Sequence, residues 1–316
     1  SSNKKLLVSS AIALVFTVSG ASADSCPDGF PSKPVNFLVG YGAGGGTDLA
    51  ARKVASTIEE MAGWTVVVDN KPGASGAVMA TSVKDGVSDG YTVGVATNTT
   101  MAIVPNQREN IEYTYEDFDF VGTGMLLTYG LAALADKPYK TLEEFVEYAK
   151  ENGRATVSTG SASYQVAMEA VADTFGVNII AIPTKGSSAA LKDALGGHVD
   201  ATVQGTVHVK QIEAGKMVQL ATLTNTRAAY APDAKTLRES GVDLSIEGHI
   251  LFFVSDSVPS GVQACLSETF AKAVSSDDYS DFMAKQQTSA SNLGPEGTAA
   301  FLADADAFYK SYFANK

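Results

Sequence analysis

Cysteine is scarce in this chain: Cys26 and Cys265 are the only two among 316 residues. Two thiols fall short of the four ligands a structural zinc site takes. They allow one disulfide or two free thiols, and no dense disulfide framework. Histidine is nearly as rare, with His198, His208 and His249. No H-E-x-x-H occurs, so the signature of zinc proteases is missing. No nucleophile pairs with any of the three histidines in sequence. Basic residues are outnumbered, 23 Lys and Arg against 35 Asp and Glu, for a formal net charge of −12. Nucleic acid as a partner is thereby disfavoured, because phosphate backbones need a basic footprint. Docking on anionic lipid is disfavoured for the same reason. An anionic small ligand is not, since a local site can differ from the global field. There is no low-complexity tract and no fixed-period repeat.

Long apolar runs are missing as well, with one exception. Leu6 to Val18 carries no charge, follows Lys4 and Lys5, and precedes the small-x-small pattern Ala21-Ser22-Ala23. These three parts in that order spell a secretory signal peptide over 1–23, cleaved before Asp24. Thirteen residues are too few to span a bilayer, so no membrane insertion is expected. Removing residues 1–23, which hold Lys4, Lys5 and no acid, takes the net charge from −12 to −14. Secretion also bears on the two cysteines, since an oxidising compartment favours a Cys26–Cys265 bridge.

What is present is an alternation of strands and helices. VNFLVGY (35–41), WTVVVD (64–69) and YTVGVAT (91–97) read as buried strands. Asp48 to Ala62 reads as an intervening helix with Ala50, Val54, Ile58 and Met61 on one face and Thr47 as its N-cap. This βαβαβ unit implies a parallel, doubly wound sheet. FDFVGTGMLLTYGLAALA (118–135) reads as two strands or one crossing strand. Strands at 154–160, 177–183, 199–205 and 217–224 then alternate with helices, giving a second α/β unit over about 105–225. HILFFVSD (249–256) returns to strand, and three helical stretches end the chain. The expected organisation is lobe 1 from 24–104, lobe 2 from 105–225, and a return to lobe 1 over 226–316. Two such lobes make a cleft, and clefts at strand C-terminal ends bind ligands.

Three turns at strand ends are rich in Gly, Ser, Thr and Asn. They are Tyr41 to Asp48, Ala96 to Thr100, and Val157 to Ser163. Each presents backbone N–H groups and hydroxyls, and the first and last open onto helix N-termini. That suits a carboxylate or phosphate without a basic side chain. Gly40, Gly42 and Gly45 also satisfy G-x-G-x-x-G, with Asp69 24 residues after Gly45. The alternative this raises is a secreted nicotinamide-dependent dehydrogenase using the Gly40–Gly45 loop. Against it, a dinucleotide fold needs six strands in two linked halves, and here the chain leaves after the third. No Gly-Lys-Ser/Thr follows the glycines, so a Walker A loop is excluded. No cofactor and no metal is expected.

FPSKPVNFLVGYGAGGGTDLAAR resembles the mature start of the Bug-type receptors of tripartite tricarboxylate transporters, which reads approximately YPxKPIxLIVPFxxGGxxDxxAR. Four more stretches are similar in order: VVVDNKPGASGAVMA to VVVENRPGAGGNxGA, DGVSDGYTVGVAT to APDGYTLLxxx, IPTKGSSAALKDALGGHVDA to VPYKGxxPALxALLGGxVD, and IEAGKMVQLATLT to IKAGKLRALAVTS. The resemblance implies a two-lobed periplasmic binding protein, type II-like, with a doubly wound, mostly parallel sheet in each lobe. It implies a non-enzymatic monomer that captures a di-, tri- or aromatic carboxylate and passes it to large and small permease subunits. A sensor domain as the docking partner is the rival output. Carried over by motif, the first turn supplies Tyr41, Gly42, Ala43, Gly44, Gly45, Gly46, Thr47 and Asp48. The second-lobe turn supplies Ser158, Thr159, Gly160, Ser161, Ala162 and Ser163. Thr97, Asn98 and Thr99 end the third strand, and Gln204, Gly205 and Thr206 complete the set. Thr184 stands where the family often has Tyr, which implies a missing aromatic wall. Asp48 is expected to brace its loop while the ligand meets the backbone of Gly42–Gly46 and the Thr47 hydroxyl.

Overall fold

The computed structural model describes residues 26–316; the signal peptide read at 1–23 lies outside the described residues. Lobe 1 starts with β1 (Val35–Val39), α1 (Gly46–Ala62), β2 (Val66–Asn70), α2 (Ala77–Asp85) and β3 (Thr92–Thr97). A π-helical turn over Thr99–Ile103 runs into α3 (Val104–Gln107) and then β4 (Phe118–Leu127). Lobe 2 contains β5 (Gly130–Leu134), α4 (Leu142–Asn152), β6 (Ala155–Thr159), α5 (Ala162–Phe175) and β7 (Ile179–Pro183). It continues through α6 (Ser187–Leu195), β8 (Ala201–Gln204), α7 (Val209–Glu213) and β9 (Met217–Thr222). The chain then returns with β10 (Gly248–Ser255), α8 (Ser260–Val274), α9 (Asp277–Lys285), β11 (Ser289–Ala290) and α10 (Gly294–Ala314).

Two sheets form, in the orders β11-β4-β10-β3-β1-β2 and β7-β6-β8-β5-β9. Each is built alike. A first strand lies parallel to its two successors, β1 with β2 and β3, β6 with β7 and β8. The next strand in space runs antiparallel: β10 beside β3, β5 beside β8. Both of these inserted strands are entered by a crossing from the other lobe. The sheets are therefore mixed, not mostly parallel as expected. Parallel crossovers need a helix to return the chain, whereas a strand arriving directly from the opposite lobe can only pair head to tail.

The crossing itself differs from the expected boundary at 105. β4 pairs with β10 in the first sheet, and the chain passes to lobe 2 only at Thr128-Tyr129. The return crossing runs beside it: the Leu223 N–H donates to the Tyr129 carbonyl at 2.8 Å, and the Ile246 N–H to the Leu223 carbonyl at 2.8 Å. Asn98 ties β3 to this hinge, accepting from the His249 N–H at 3.1 Å and donating to the Glu247 carbonyl at 3.2 Å. Helices α8 and α10 pack on β4, and Phe37, Phe252, Phe253 and Phe270 fill the core beneath them. Cys26 and Cys265 form a disulfide that fastens the N-terminal segment to α8. Among the described residues no helix is long and apolar enough to cross a membrane. Nor does any group of three or more His, Cys, Asp or Glu there suit a metal ion.

Candidate functional site

The loop after β1 is shaped by Asp48. This residue is third in α1 and only 3 % exposed. Its carboxylate accepts from the Gly44 N–H (3.0 Å), Asn70 Nδ2 (2.9 Å) and Arg52 Nε (3.0 Å). Burial alone would raise its pKa; the Gly44, Asn70 and Arg52 donors outweigh burial and hold it below the usual carboxylate range. Asp48 thus reaches back over the helix start, in the manner of an acid three residues past the cap. The helix begins at Gly46 with Gly45 as N-cap, not at Asp48 with Thr47 as cap. Thr47 is released to face the cleft. Asp69, the acid of the dinucleotide fingerprint, is exposed on β2, and its neighbour Asn70 is the side chain that reaches the loop, donating also to the Tyr41 carbonyl at 3.0 Å.

A cavity with about 470 Å³ of atom-free space, mouth included, lies between the lobes. Lobe 1 contributes Tyr41, Gly45, Gly46, Thr47, Thr97 and Leu127. Lobe 2 and the hinge contribute Tyr129, Gly160, Ser161, Tyr164, Ser187, Gly205 and Thr206. None of these side chains carries a charge at neutral pH. Three helices, α1, α5 and α6, start at this cavity. Their N-caps are Gly45, Ser161 and Gly186, and none has a capping hydrogen bond from its own side chain. Among the described α-helices only α4 and α9 have one, from Thr141 and Ser276. Uncapped N-termini carry unpaired N–H groups and a positive dipole end. Three helix starts, none capped by its own N-cap side chain, thus border one cavity.

The turns that frame the pocket are close-packed. A Cβ on Gly160 would sit 2.4 Å from the Gly186 carbonyl carbon and the Ser187 nitrogen, so only glycine lets the starts of α5 and α6 approach. Across the cleft, the Gly42 N–H donates to the Lys185 carbonyl at 3.3 Å, and the Ala162 N–H to Ser75 Oγ at 3.0 Å. The lobes are therefore closed on each other. The Tyr41 hydroxyl sits 2.9 Å from Thr97 Oγ1 and 3.2 Å from Thr100 Oγ1. Burial raises its pKa, as it does those of Tyr129 and Tyr164, so all three stay neutral phenols. Tyr129 and Tyr164 meet edge to face with centroids 5.3 Å apart.

Of the candidate residues, Tyr41, Gly45, Gly46, Thr47, Thr97, Gly160, Ser161, Gly205 and Thr206 come together at this cavity. Gly42 and Ala43 instead line an outer crevice with Lys185 and Lys192, and Gly44 lines another with Lys210 and Glu213. Several others buttress the walls. Ser158 Oγ donates to the Ala190 carbonyl at 2.7 Å, Thr159 Oγ1 to the Ile182 carbonyl at 3.5 Å, and Gln204 Nε2 to the Ser187 carbonyl at 3.0 Å. Thr184 Oγ1 donates to the Thr159 carbonyl at 3.0 Å and faces a side crevice with Ser75. Asn98 holds the hinge, Thr99 is buried in the π-helical turn, and Ser163 is buried beside Ser161. Leu127, Tyr129, Tyr164 and Ser187 also line the cavity and lie outside the candidate set. Tyr129 and Tyr164 give the cavity an aromatic wall, contrary to the expectation drawn from Thr184. Ser187 was legible in principle, since Lys185-Gly186 announces the start of α6 as Gly45 does that of α1.

Two mixed α/β lobes, two adjacent crossings and a polar cleft define a periplasmic-type solute-binding protein. The periplasmic binding protein BugD has this fold, with a TM-score of 0.85 and 26 % identity over 90 % of this chain and 98 % of that one. MatC from Rhodopseudomonas palustris, solved with bound malate, shares the fold at a TM-score of 0.83 and 22 % identity, covering 90 % of this chain and all of MatC. A UPF0065 protein encoded in the gbd 5′ region of Cupriavidus necator is 30 % identical over 285 residues, 89 % of this chain and 87 % of that protein. The chain belongs to the tripartite tricarboxylate transporter receptor family, TctC, whose family model matches residues 50–311. Family and fold are those of binding proteins and not of enzymes.

Proposed function

We propose that this receptor captures a small organic carboxylate outside the cytoplasm and delivers it to the membrane subunits of a tripartite tricarboxylate-type transporter. The observation that carries this reading is the meeting on one cavity, without a charged side chain, of three helix N-termini that their own N-cap side chains leave uncapped. Anions suit such a site because N–H groups and hydroxyls supply charge-assisted hydrogen bonds. Each is worth roughly 1.5–3 kcal/mol. A micromolar dissociation constant, about −8 kcal/mol, needs only several of them once ordering costs are subtracted. Donors from both lobes also make binding and closure one event, since an open cleft offers the ligand only half of them. Malate bound to a protein of this fold makes C4 to C6 dicarboxylates the first compounds to try.

Isothermal calorimetry against malate, succinate, adipate, citrate and benzoate tests the proposal. Saturable binding by at least one is expected. Silence from all of them, with amino acids or nucleotides binding instead, would sink it. Periplasmic location and a monomeric state belong to the same reading, checked by cell fractionation and light scattering.

A further inference from the structure

The loop between β2 and α2, Pro72 to Gly76, holds two non-glycine residues in the left-handed region: Ala74 at φ 49° and Ser75 at φ 54°, ψ 40°. Such conformations are strained for side chains other than glycine and persist only where the surroundings impose them. Here lobe 1 imposes it. The Ser75 carbonyl accepts from Thr100 Oγ1 at 2.9 Å and lies 3.2 Å from the donating Tyr41 hydroxyl. What the conformation achieves is seen across the cleft. Ser75 Oγ accepts from the N–H of Ala162, first residue of α5, at 3.0 Å. The N-cap of that helix, Ser161, makes no capping bond and turns its hydroxyl to Ser163 at 3.2 Å. The start of α5 is thus capped by the opposite lobe.

We infer that Ser75 is a positioning residue for ligand capture: its hydroxyl caps α5 across the cleft and so holds the lobes closed over the ligand. The inference rests on the receptor reading given above. Ser75 itself faces the side crevice and is not part of the central cavity wall. Its bond to Ala162 exists only when the lobes meet. Its strain does not share that dependence, because both donors to its carbonyl belong to lobe 1. Glycine at 75 would therefore relieve strain in open and closed forms alike, yet remove a bond found in the closed form alone. Fold stability and ligand retention should move in opposite directions, which a merely structural turn residue would not produce.

The test compares wild type with Ser75→Gly and Ser75→Ala, using L-malate, citrate and adipate as probes. Small-angle scattering gives the closed-to-open ratio with and without each probe, and stopped-flow gives the dissociation rate. Both variants should lower that ratio, and speed dissociation, about five- to tenfold, the worth of one helix cap. Association rates should hardly change, and Ser75→Gly should melt no lower than wild type. Closure and release at wild-type values in either variant would overturn the inference, as would a wild type with no closed population under any condition. A wild type unmoved by every probe, beside variants that still lose closed population, would sink the carboxylate reading and leave the role of Ser75 standing.

Discussion

Replacing Asp48 by Asn tests whether the first anion-binding loop is held by a buried charge. The carboxylate serves three donors at 2.9–3.0 Å: the Gly44 N–H, Asn70 Nδ2 and Arg52 Nε. An amide of the same shape has one acceptor oxygen and one NH₂. Whichever way it sits, its NH₂ faces a donor, so at least one bond is lost and a buried donor goes unpaired. Bonds to charged groups are worth roughly 1.5–3 kcal/mol each. The Arg52 share is discounted to about 0.5 kcal/mol, since its side chain is 49 % exposed. The expected cost is about 2–4 kcal/mol, read as a lower urea midpoint at pH 7. Malate or citrate binding should weaken as well, because Gly45 and Gly46 sit between the braced Gly44 and Asp48. The pH dependence carries a sign. The folded-state pKa of Asp48 is depressed, so its contribution is complete above the unfolded value of about 3.9 and fades as pH falls through the folded value. The gap between wild type and Asp48→Asn should therefore narrow below about pH 4. A variant within about 0.5 kcal/mol of wild type at pH 7, the range of ordinary surface changes, would refute the bracing argument.

Three further outcomes follow from the same geometry. Thr47→Ala and Ser161→Ala, one on each wall of the cavity, should each weaken carboxylate binding about five- to twentyfold at unchanged melting temperature; unchanged affinity in both removes these turns from the site. His208 is buried, which drives its pKa down to about 4 against the weaker opposing effect of its hydrogen bond to Gln219 Oε1 at 2.7 Å. The unfolded chain takes up that proton near pH 6.5 and the folded chain does not, so stability is lost as pH falls from about 6.5 to about 4. His208→Gln should flatten that slope in a melting series. Cys26→Ser with Cys265→Ser opens a link between residues 239 apart and should cost about 2–5 kcal/mol in urea unfolding; equal midpoints would show that the N-terminal segment is held by packing alone.

Much of this was legible because the relevant signals are local. Apolar runs ended by Gly, Ser and Thr mark strand-to-turn junctions, and these placed Gly45, Ser161 and Thr206 at the cleft. Strand partners are not local. β5 and β10 look like any buried strand, and only the crossings make them antiparallel insertions. The boundary read at 105 differs for a related reason. β4 and β5 are joined by Thr128-Tyr129 without Gly or Pro, so no turn signal marks the place where the chain changes lobes. Tyr129 is not legible as a site residue because a tyrosine inside an apolar run reads as core; its position at a cavity depends on what the opposite lobe brings. Ser75 shows the same limit more sharply. PGASG reads as a turn, and nothing in it says that the serine hydroxyl meets a helix of the other lobe.

The distribution of helix caps joins stability to function. A missing N-cap side chain costs a helix about 1 kcal/mol. The chain supplies such caps at α4 and α9, where Thr141 and Ser276 accept from Glu144 and Tyr279. The other described α-helices lack them, α2, α3, α7, α8 and α10 as well as α1, α5 and α6, and the last three start at the cleft. The omission is not a shortage of suitable residues. Thr47 lies two positions past the cap of α1, Ser161 occupies the cap of α5 but turns to Ser163, and Ser187 and Ser188 open α6. An oxygen folded back onto its own helix would satisfy the N–H groups that an anion must find unpaired. The same hydroxyls turned outward add donors to the cavity. Filling these caps by design, for example with Gly45→Asp, should therefore raise the melting temperature and abolish carboxylate binding together. A stabilised variant that still bound malate or citrate at wild-type affinity would show that the helix N-termini are not what holds the ligand.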